Sequence, residues 1–213
     1  MEFAQLLEIV DDEPVFETGL LLAGDVDPAD VRRQLSRWMA SGRLYQLRRG
    51  VYALAPPFHK VRPHSFLVAN HLVRGSYVSC QSALAHYGLI PEHVPVTISI
   101  TAARPARWDT PLGVYRFHHV KLGMLRGYRL IEVSPGQRAF VALSEKALLD
   151  LIYLQPGGDS PQYLQELRLQ NLDRLNLEEL EDQAGLAHSP KLCRAATRLA
   201  DLARLESQEY EVL

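Results

Sequence analysis

Cysteine is nearly absent from this chain: Cys80 and Cys193 are the only two in 213 residues, far apart and without metal-ligand spacing. That excludes a disulfide framework and fits a reducing compartment, with both thiols expected as small buried side chains. Long apolar runs are missing too, and no stretch approaches the ~20 residues that a membrane helix needs. Hydrophobic residues nevertheless make up 47% of the chain, an ordinary share for a protein that buries a core. The opening MEFAQLLEIVDDEP lacks the basic start and apolar block of a secretory signal, so a cytoplasmic location is expected. There is no phosphate-cradling Gly-rich loop, no G-x-S-x-G elbow, no internal repeat and no low-complexity segment.

One absence is more pointed. Between Val31 and Pro91 there is no Asp or Glu at all. All nine acids of the first ninety residues (Glu2, Glu8, Asp11, Asp12, Glu13, Glu17, Asp25, Asp27, Asp30) lie at or before Asp30. The acid-free stretch holds Arg32, Arg33, Arg37, Arg43, Arg48, Arg49, Lys60, Arg62 and Arg74. Such a one-signed field is the footprint of an anion-binding face. From Leu143 onward the balance reverses, with thirteen acids against seven cations, so the net charge of −2 hides two ends of opposite character.

Phe3 to Val10 reads as a short amphipathic helix stopped by Asp11-Asp12-Glu13-Pro14, and a second helical segment is expected over about Phe16 to Leu22, with Gly24 as its stop. In VDPADVRRQLSRWMASG, Asp27 suits an N-cap, Pro28 the first helical position, Asp30 the first turn and Gly42 the C-terminal stop. At ~100° per residue, Val31, Leu35, Trp38 and Met39 share an apolar arc, while Arg33, Ser36, Arg37 and Ala40 lie opposite, with Arg32 and Gln34 at the margins. Leu44–Leu47 and Val51–Leu54 then form a hairpin about Arg49-Gly50. Helix, helix, basic helix and two-stranded ribbon is the order of a winged helix-turn-helix, whose third helix enters the major groove while the wing touches the flanking backbone. The expected DNA-binding residues are Arg32, Arg33, Ser36 and Arg37 on the helix and Arg48 and Arg49 on the wing. Arg37 has the reach for guanine O6/N7, Arg33 for guanine or phosphate, and the wing pair for phosphate or a narrow minor groove.

Ala55-Pro56-Pro57 ends the wing, residues 59–63 read as a linker, and a second domain is expected over 64–213, helical from about Ser144. The expected fold class is α+β: a winged helix over 1–58, then a mixed α/β domain with a helical end. Helices are expected over Ser65–Arg74, Gln81–Tyr87, Ser144–Leu154 with Ser144 as cap, Gln162–Gln170, Leu177–Ala184 and Lys191–Glu206. Strands are expected at Tyr77–Ser79, Pro95–Ala103 with Val96, Ile98 and Ile100 on one face, Gly113–Val120, Tyr128–Val133 and Gln137–Ala142.

Four ordered blocks carry a family resemblance: RRGVYAL (Arg48–Leu54), YVSCQSALAHYGLIP (Tyr77–Pro91), VTISI (Val96–Ile100) and LSEKALLDLIYL (Leu143–Leu154). Together they resemble the AbiEi antitoxins of the AbiE type IV toxin-antitoxin systems, which are linked to abortive phage resistance in bacteria. The resemblance spans about Phe3 to Arg204. It implies a bacterial protein that binds inverted repeats in its own promoter, represses the toxin-antitoxin operon and opposes a nucleotidyltransferase-class toxin. A stand-alone relative would act as a regulator without a toxin.

Other chemistries fit the residues poorly. His118 and His119 are adjacent, so on a strand they point to opposite faces, and His59, His64 and His71 lack partner ligands at a useful spacing. No metal or other cofactor is expected. Glu145, Lys146 and Asp150 evoke a metal-dependent nuclease, but Glu145 and Lys146 diverge by ~100° on a helix, and Glu145 at the first helical position suits the dipole. Ser79, Ser82 and His86 evoke a hydrolase without its elbow. The basic middle residues Arg104, Arg107, Arg116, Lys121, Arg126 and Arg129 are candidates for extending a DNA contact. The reading is therefore a non-enzymatic partner of double-stranded DNA with no membrane association; a cognate toxin is what the resemblance implies, the alternative being a stand-alone regulator.

Overall fold

The computed structural model describes residues 1–23 and 26–211, with the side chains of 206–211 excepted. Its N-terminal part runs α1 (Phe3–Val10), β1 (Phe16–Glu17), a 3-10 turn (Thr18–Leu22), α2 (Pro28–Ala40), β2 (Leu44–Arg48) and β3 (Val51–Leu54). In α1 the Glu2 amide donates to Gln5 Oε1 at 2.8 Å, and Leu6 and Val10, one helical turn apart, are fully buried. The segment expected as a second helix divides instead. Phe16 and Glu17 pair with Tyr52 and Val51, the Phe16 ring stacks on Tyr52 at 5.8 Å, and only Thr18–Leu22 coils. The Thr18 amide donates to the Gly50 carbonyl at 3.0 Å, so a ladder with the hairpin outcompetes a longer helix. Gly24, the expected stop, lies outside the described residues.

The second part contains α3 (Ser65–Leu72), β4 (Tyr77–Val78), α4 (Cys80–His86), β5 (Val96–Thr101), β6 (Ala106–Thr110), β7 (Gly113–His119), β8 (Tyr128–Ser134), β9 (Gln137–Ala142), α5 (Ser144–Leu154), α6 (Pro161–Glu166), α7 (Leu177–Leu186) and α8 (Pro190–Glu211). The six strands order as β6-β7-β5-β4-β9-β8, parallel at β7/β5 and β4/β9 and antiparallel elsewhere. The molecule is thus mixed α+β with two sheets. Strand β6 was not expected: ARWDT alternates half-buried and exposed residues at a sheet edge and carries no apolar run. On β5 the expected apolar face is only partly buried, whereas Thr97, Ser99 and Thr101 on the other face are buried, because this central strand is covered on both sides.

Short β4 is completed by α4. The Ser79 amide donates to the Ile98 carbonyl at 3.0 Å; Ser82 Oγ then accepts the Ile98 amide at 2.9 Å and donates to the Val96 carbonyl at 3.1 Å. The first turn of α4 therefore satisfies β5 backbone groups that a longer β4 would have paired. Helix α5 is buried along most of its length, Leu148, Leu149, Leu151 and Ile152 among the core residues. Leu143 occupies its N-cap position without a side-chain bond, placing Ser144 at the first helical position and Glu145 at the second, each one position later than expected.

Two apolar cores result. A small one gathers Leu6, Val10, Phe16, Leu21, Val31, Leu35, Trp38, Leu44, Tyr52 and Leu54. The large one, built on the six-stranded sheet, also takes in Val15, Leu47, Val51 and Ala53. Strand β3 is consequently buried on both faces: Tyr52 and Leu54 look into one core, Val51 and Ala53 into the other.

Candidate nucleic-acid interface

Helix α2 is set by its ends. Asp27 accepts the Ala29 amide at 2.8 Å, Pro28 opens the first turn, and at the far end the Gly42 amide bonds Met39 O and the Arg43 amide bonds Trp38 O. That Schellman closure needs the left-handed backbone that Gly42 supplies with φ +70°. Val31, Leu35 and Trp38 lock one face into the small core, where Trp38 meets the Phe3 ring edge-on at 5.5 Å. Arg32, Arg33, Ser36 and Arg37 are left on the exposed face, as the helical arc requires.

The arginines are not equivalent. Arg33 forms an ion pair with Asp30 one turn earlier, both side chains well exposed. Ser36 Oγ donates to the Arg32 carbonyl at 2.9 Å, which leaves its lone pairs free but commits its proton. Arg32 and Arg37 enter no ion pair among the described residues, and neither does Arg49, exposed beside Gly50 (φ +82°) at the hairpin turn. Arg48 departs from the expected display. A bulge between Gln46 and Arg48 turns it inward, so that it is half-buried, with its Nε buried and unpartnered and its charge near Glu17.

The acid-free run of sequence is answered in space by the acids before it. Glu17 pairs with Arg74, whose Nε lies 3.3 Å from Oε1, and stands 3.9 Å from His71 Nδ1; Lys60 pairs with Asp11. The Arg74 hydrogen bond holds the Glu17 carboxyl below the usual carboxylate range, and burial pushes the His71 imidazole down. The exposed cations of this stretch without an ion pair among the described residues are Arg32, Arg37, Arg49, Arg62 and Arg43, the last lying over the Phe3 ring, with Arg33 shared. The basic middle residues do not join them as one surface. Arg107 pairs with Asp109 on the edge strand β6, Arg126 donates to the Gly123 carbonyl, and Arg129 lies on β8 at the opposite edge of the sheet.

The residues that evoked an enzyme occupy a closed polar core instead. Lys146 and Asp150, one turn apart on α5 and both almost fully buried, form an ion pair. Tyr77 and Ser79 donate their hydroxyl protons to the other Asp150 oxygen at 3.0 and 2.8 Å, and the ammonium lies 5.8 Å from the Tyr77 ring centre. Burial pushes the Asp150 carboxyl up, against the pull of Lys146 and the two hydroxyls, and it raises the Cys80 thiol. Glu145 turns elsewhere and accepts the Asn176 amide at 2.8 Å, tying α5 to the start of α7. The sequence signal for the pair was the Lys–Asp spacing of four inside an apolar helix. Ser82 and His86 line one cleft of about 500 Å³ with His64, but the Ser82 hydroxyl is taken up by β5 backbone. Among the described residues no group of three His, Cys, Asp or Glu side chains is placed to hold a metal, and no helix is long and apolar enough to cross a membrane.

Neither a scan against protein-family models nor a search of curated proteins returns a match for this chain.

Proposed function

We propose that the first 58 residues form a winged helix-turn-helix that binds double-stranded DNA, and that the protein is a cytoplasmic transcriptional repressor rather than an enzyme. The order α1, β1, 3-10 turn, α2, β2, β3 with a three-stranded β1-β3-β2 sheet supports this reading, the 3-10 turn standing where a second helix would be. The observation that carries it is the face of α2: Arg32, Arg33, Ser36 and Arg37 are exposed together, and Asp30 is their sole acidic neighbour on the helix. In this arrangement α2 enters the major groove, Arg37 meets a base edge, Arg32 and Arg49 hold phosphate, and Arg33 exchanges Asp30 for a DNA oxygen. Opposition to a nucleotidyltransferase toxin is a further layer that rests on the four resembling sequence blocks.

Fluorescence anisotropy of the full chain tests the DNA reading, using a duplex from its own upstream region and a scrambled duplex over about 50–200 mM salt. A preference of ~10³ or more with a steep salt slope is expected. Equal, weak binding to both duplexes would refute a repressor. Co-expression with the neighbouring gene tests the antitoxin layer, since a stand-alone regulator rescues no growth defect.

A further inference from the structure

We propose that β8, the open edge of the six-stranded sheet, pairs antiparallel with β8 of a second copy of this chain about a two-fold axis at Leu130. The two edges of the sheet differ. Edge strand β6 follows Pro105, carries the Arg107–Asp109 pair and packs beside β2. Strand β8 is less protected: it contains no Pro and no Lys, its two charges, Arg129 and Glu132, are of opposite sign, and its one irregularity, between Glu132 and Ser134, lies at the far end.

The hydrogen-bond alternation along this hairpin fixes what the edge offers. The Leu143 amide donates to the Gly127 carbonyl at 2.8 Å, which makes Gly127–Leu143 a bonded pair. In an antiparallel ladder bonded and non-bonded pairs alternate, so Tyr128–Ala142, Leu130–Phe140 and Glu132–Arg138 are non-bonded. An independent contact agrees: the Phe140 amide points away from β8 and donates to Asn70 Oδ1 at 2.6 Å. The amides and carbonyls of Tyr128, Leu130 and Glu132 therefore face outward, unused by their own sheet. Beside them three large apolar side chains stand on one face, Leu130 47%, Phe140 43% and Tyr128 38% exposed, with the Tyr128 and Phe140 rings 5.8 Å apart.

The edge is complementary to itself. With Leu130 opposite the second copy's Leu130, each donates its amide to the other's carbonyl, and Tyr128 exchanges bonds with Glu132 on both sides, about six new bonds in all. A two-fold axis normal to the sheet keeps the faces aligned, so Phe140 and Leu130 of both copies form one continuous apolar row. Arg129 then faces Ile131 and Glu132 faces Tyr128, so no like charges meet. Sliding the register to centre on Ile131 would set Leu130 against Glu132, which selects the first arrangement. One short strand pair and one apolar row make a small interface, and association is accordingly weak and concentration-dependent. A two-fold dimer also sets two α2 helices in symmetric positions, whatever they bind.

Sedimentation velocity of the full chain from about 1 to 200 µM tests this, the expected result being a shift from 24.0 kDa toward twice that mass. Leu130→Pro removes only an outward amide and remains monomeric throughout; Leu130→Lys, which keeps the backbone but sets like charges at the axis, does the same. In a Cys193→Ser background, Leu130→Cys cross-links to itself under mild oxidation and Ile131→Cys does not. A monomer at every concentration, a dimer that survives both Leu130 variants, or equal cross-linking at residues 130 and 131 would each overturn the proposal.

Discussion

Replacing the arginines one at a time separates base reading from charge, because the structure gives each a different starting state. Arg37 is exposed and breaks no ion pair when it moves to DNA, so its truncation removes the contact undiminished. Arg37→Ala is expected to cost about 1–3 kcal/mol on the operator, roughly 5–150-fold in Kd, and to leave the scrambled duplex nearly unaffected. Arg33→Ala costs less, since the native side chain must first give up Asp30, an exposed pair worth ~0–1 kcal/mol. Arg49→Ala weakens both duplexes alike and lowers the salt slope by ~0.9, one phosphate contact. Arg48→Ala leaves that slope unchanged, because its guanidinium is half-buried toward Glu17. The assay is the anisotropy titration, repeated for each variant across the salt series. Two results would refute the reasoning: an Arg37→Ala loss equal on both duplexes, or a slope change for Arg48→Ala matching that of Arg49→Ala.

The remaining expectations concern stability, read by urea denaturation unless stated. Lys146→Ala leaves the buried Asp150 without its cation and should cost about 3–5 kcal/mol, whereas Lys146→Met with Asp150→Leu should cost clearly less; a double variant no better than the single would sink the ion-pair account. His64, His71, His86 and His118 are all held below the ordinary imidazole range, burial being the main cause. The unfolded chain therefore binds protons first, and stability should fall as pH drops below about 6.5, a trend that thermal melts at pH 7.5 and 5.5 would show or contradict. Asp27→Ala removes the α2 cap and should cost about 0.5–2 kcal/mol, while Asp27→Asn stays close to the native value. Val51→Ala, at the strand buried on both faces, should cost at least the ~1.6 kcal/mol of two methylene equivalents; a change within error would mean that β3 does not join the two cores.

What could be read from the chain followed periodicity and end signals. Helices α1 and α2 and the hairpin are marked by apolar spacing, by Asp27-Pro28 and by Gly42 and Gly50, features that act within a few residues and so survive without tertiary context. Two misreadings have a common cause in long-range pairing. Phe16-Glu17 became strand because Tyr52 and Val51 lie waiting thirty-odd residues later. β6 formed from a segment without strand character because β7 offered it a partner. The strand at β5 was legible, but the burial of Thr97, Ser99 and Thr101 on its other face was not, because elements from elsewhere in the chain cover it. For the candidate site, helical geometry identified which α2 side chains face out. The i,i+3 spacing of Asp30 and Arg33 permits their pair without requiring it, and nothing local showed that Arg48 folds back, which depends on a one-residue bulge.

The charge pattern acquires a different meaning in three dimensions. A run of sixty residues without an acid looks like an uninterrupted positive field, but a folded chain is neutralised by neighbours in space. Acids from the first thirty residues return to Arg33, Lys60 and Arg74, and two of those pairs, Glu17–Arg74 and Asp11–Lys60, join the end of α1 and strand β1 to residues beyond the hairpin. Exposed ion pairs of this kind add little stability, so the junction between the two parts is carried by Leu47, Val51 and Ala53 in the larger core. The pairs instead remove positive charge from the side of the molecule where the two parts meet. Of the nine cations in the acid-free stretch, Arg33, Lys60 and Arg74 are paired and Arg48 is half-buried. Among those left exposed without an acid in the described residues, Arg32 and Arg37 share the α2 face and Arg49 holds the hairpin turn, with Arg43 and Arg62 elsewhere, a smaller field than the sequence implies.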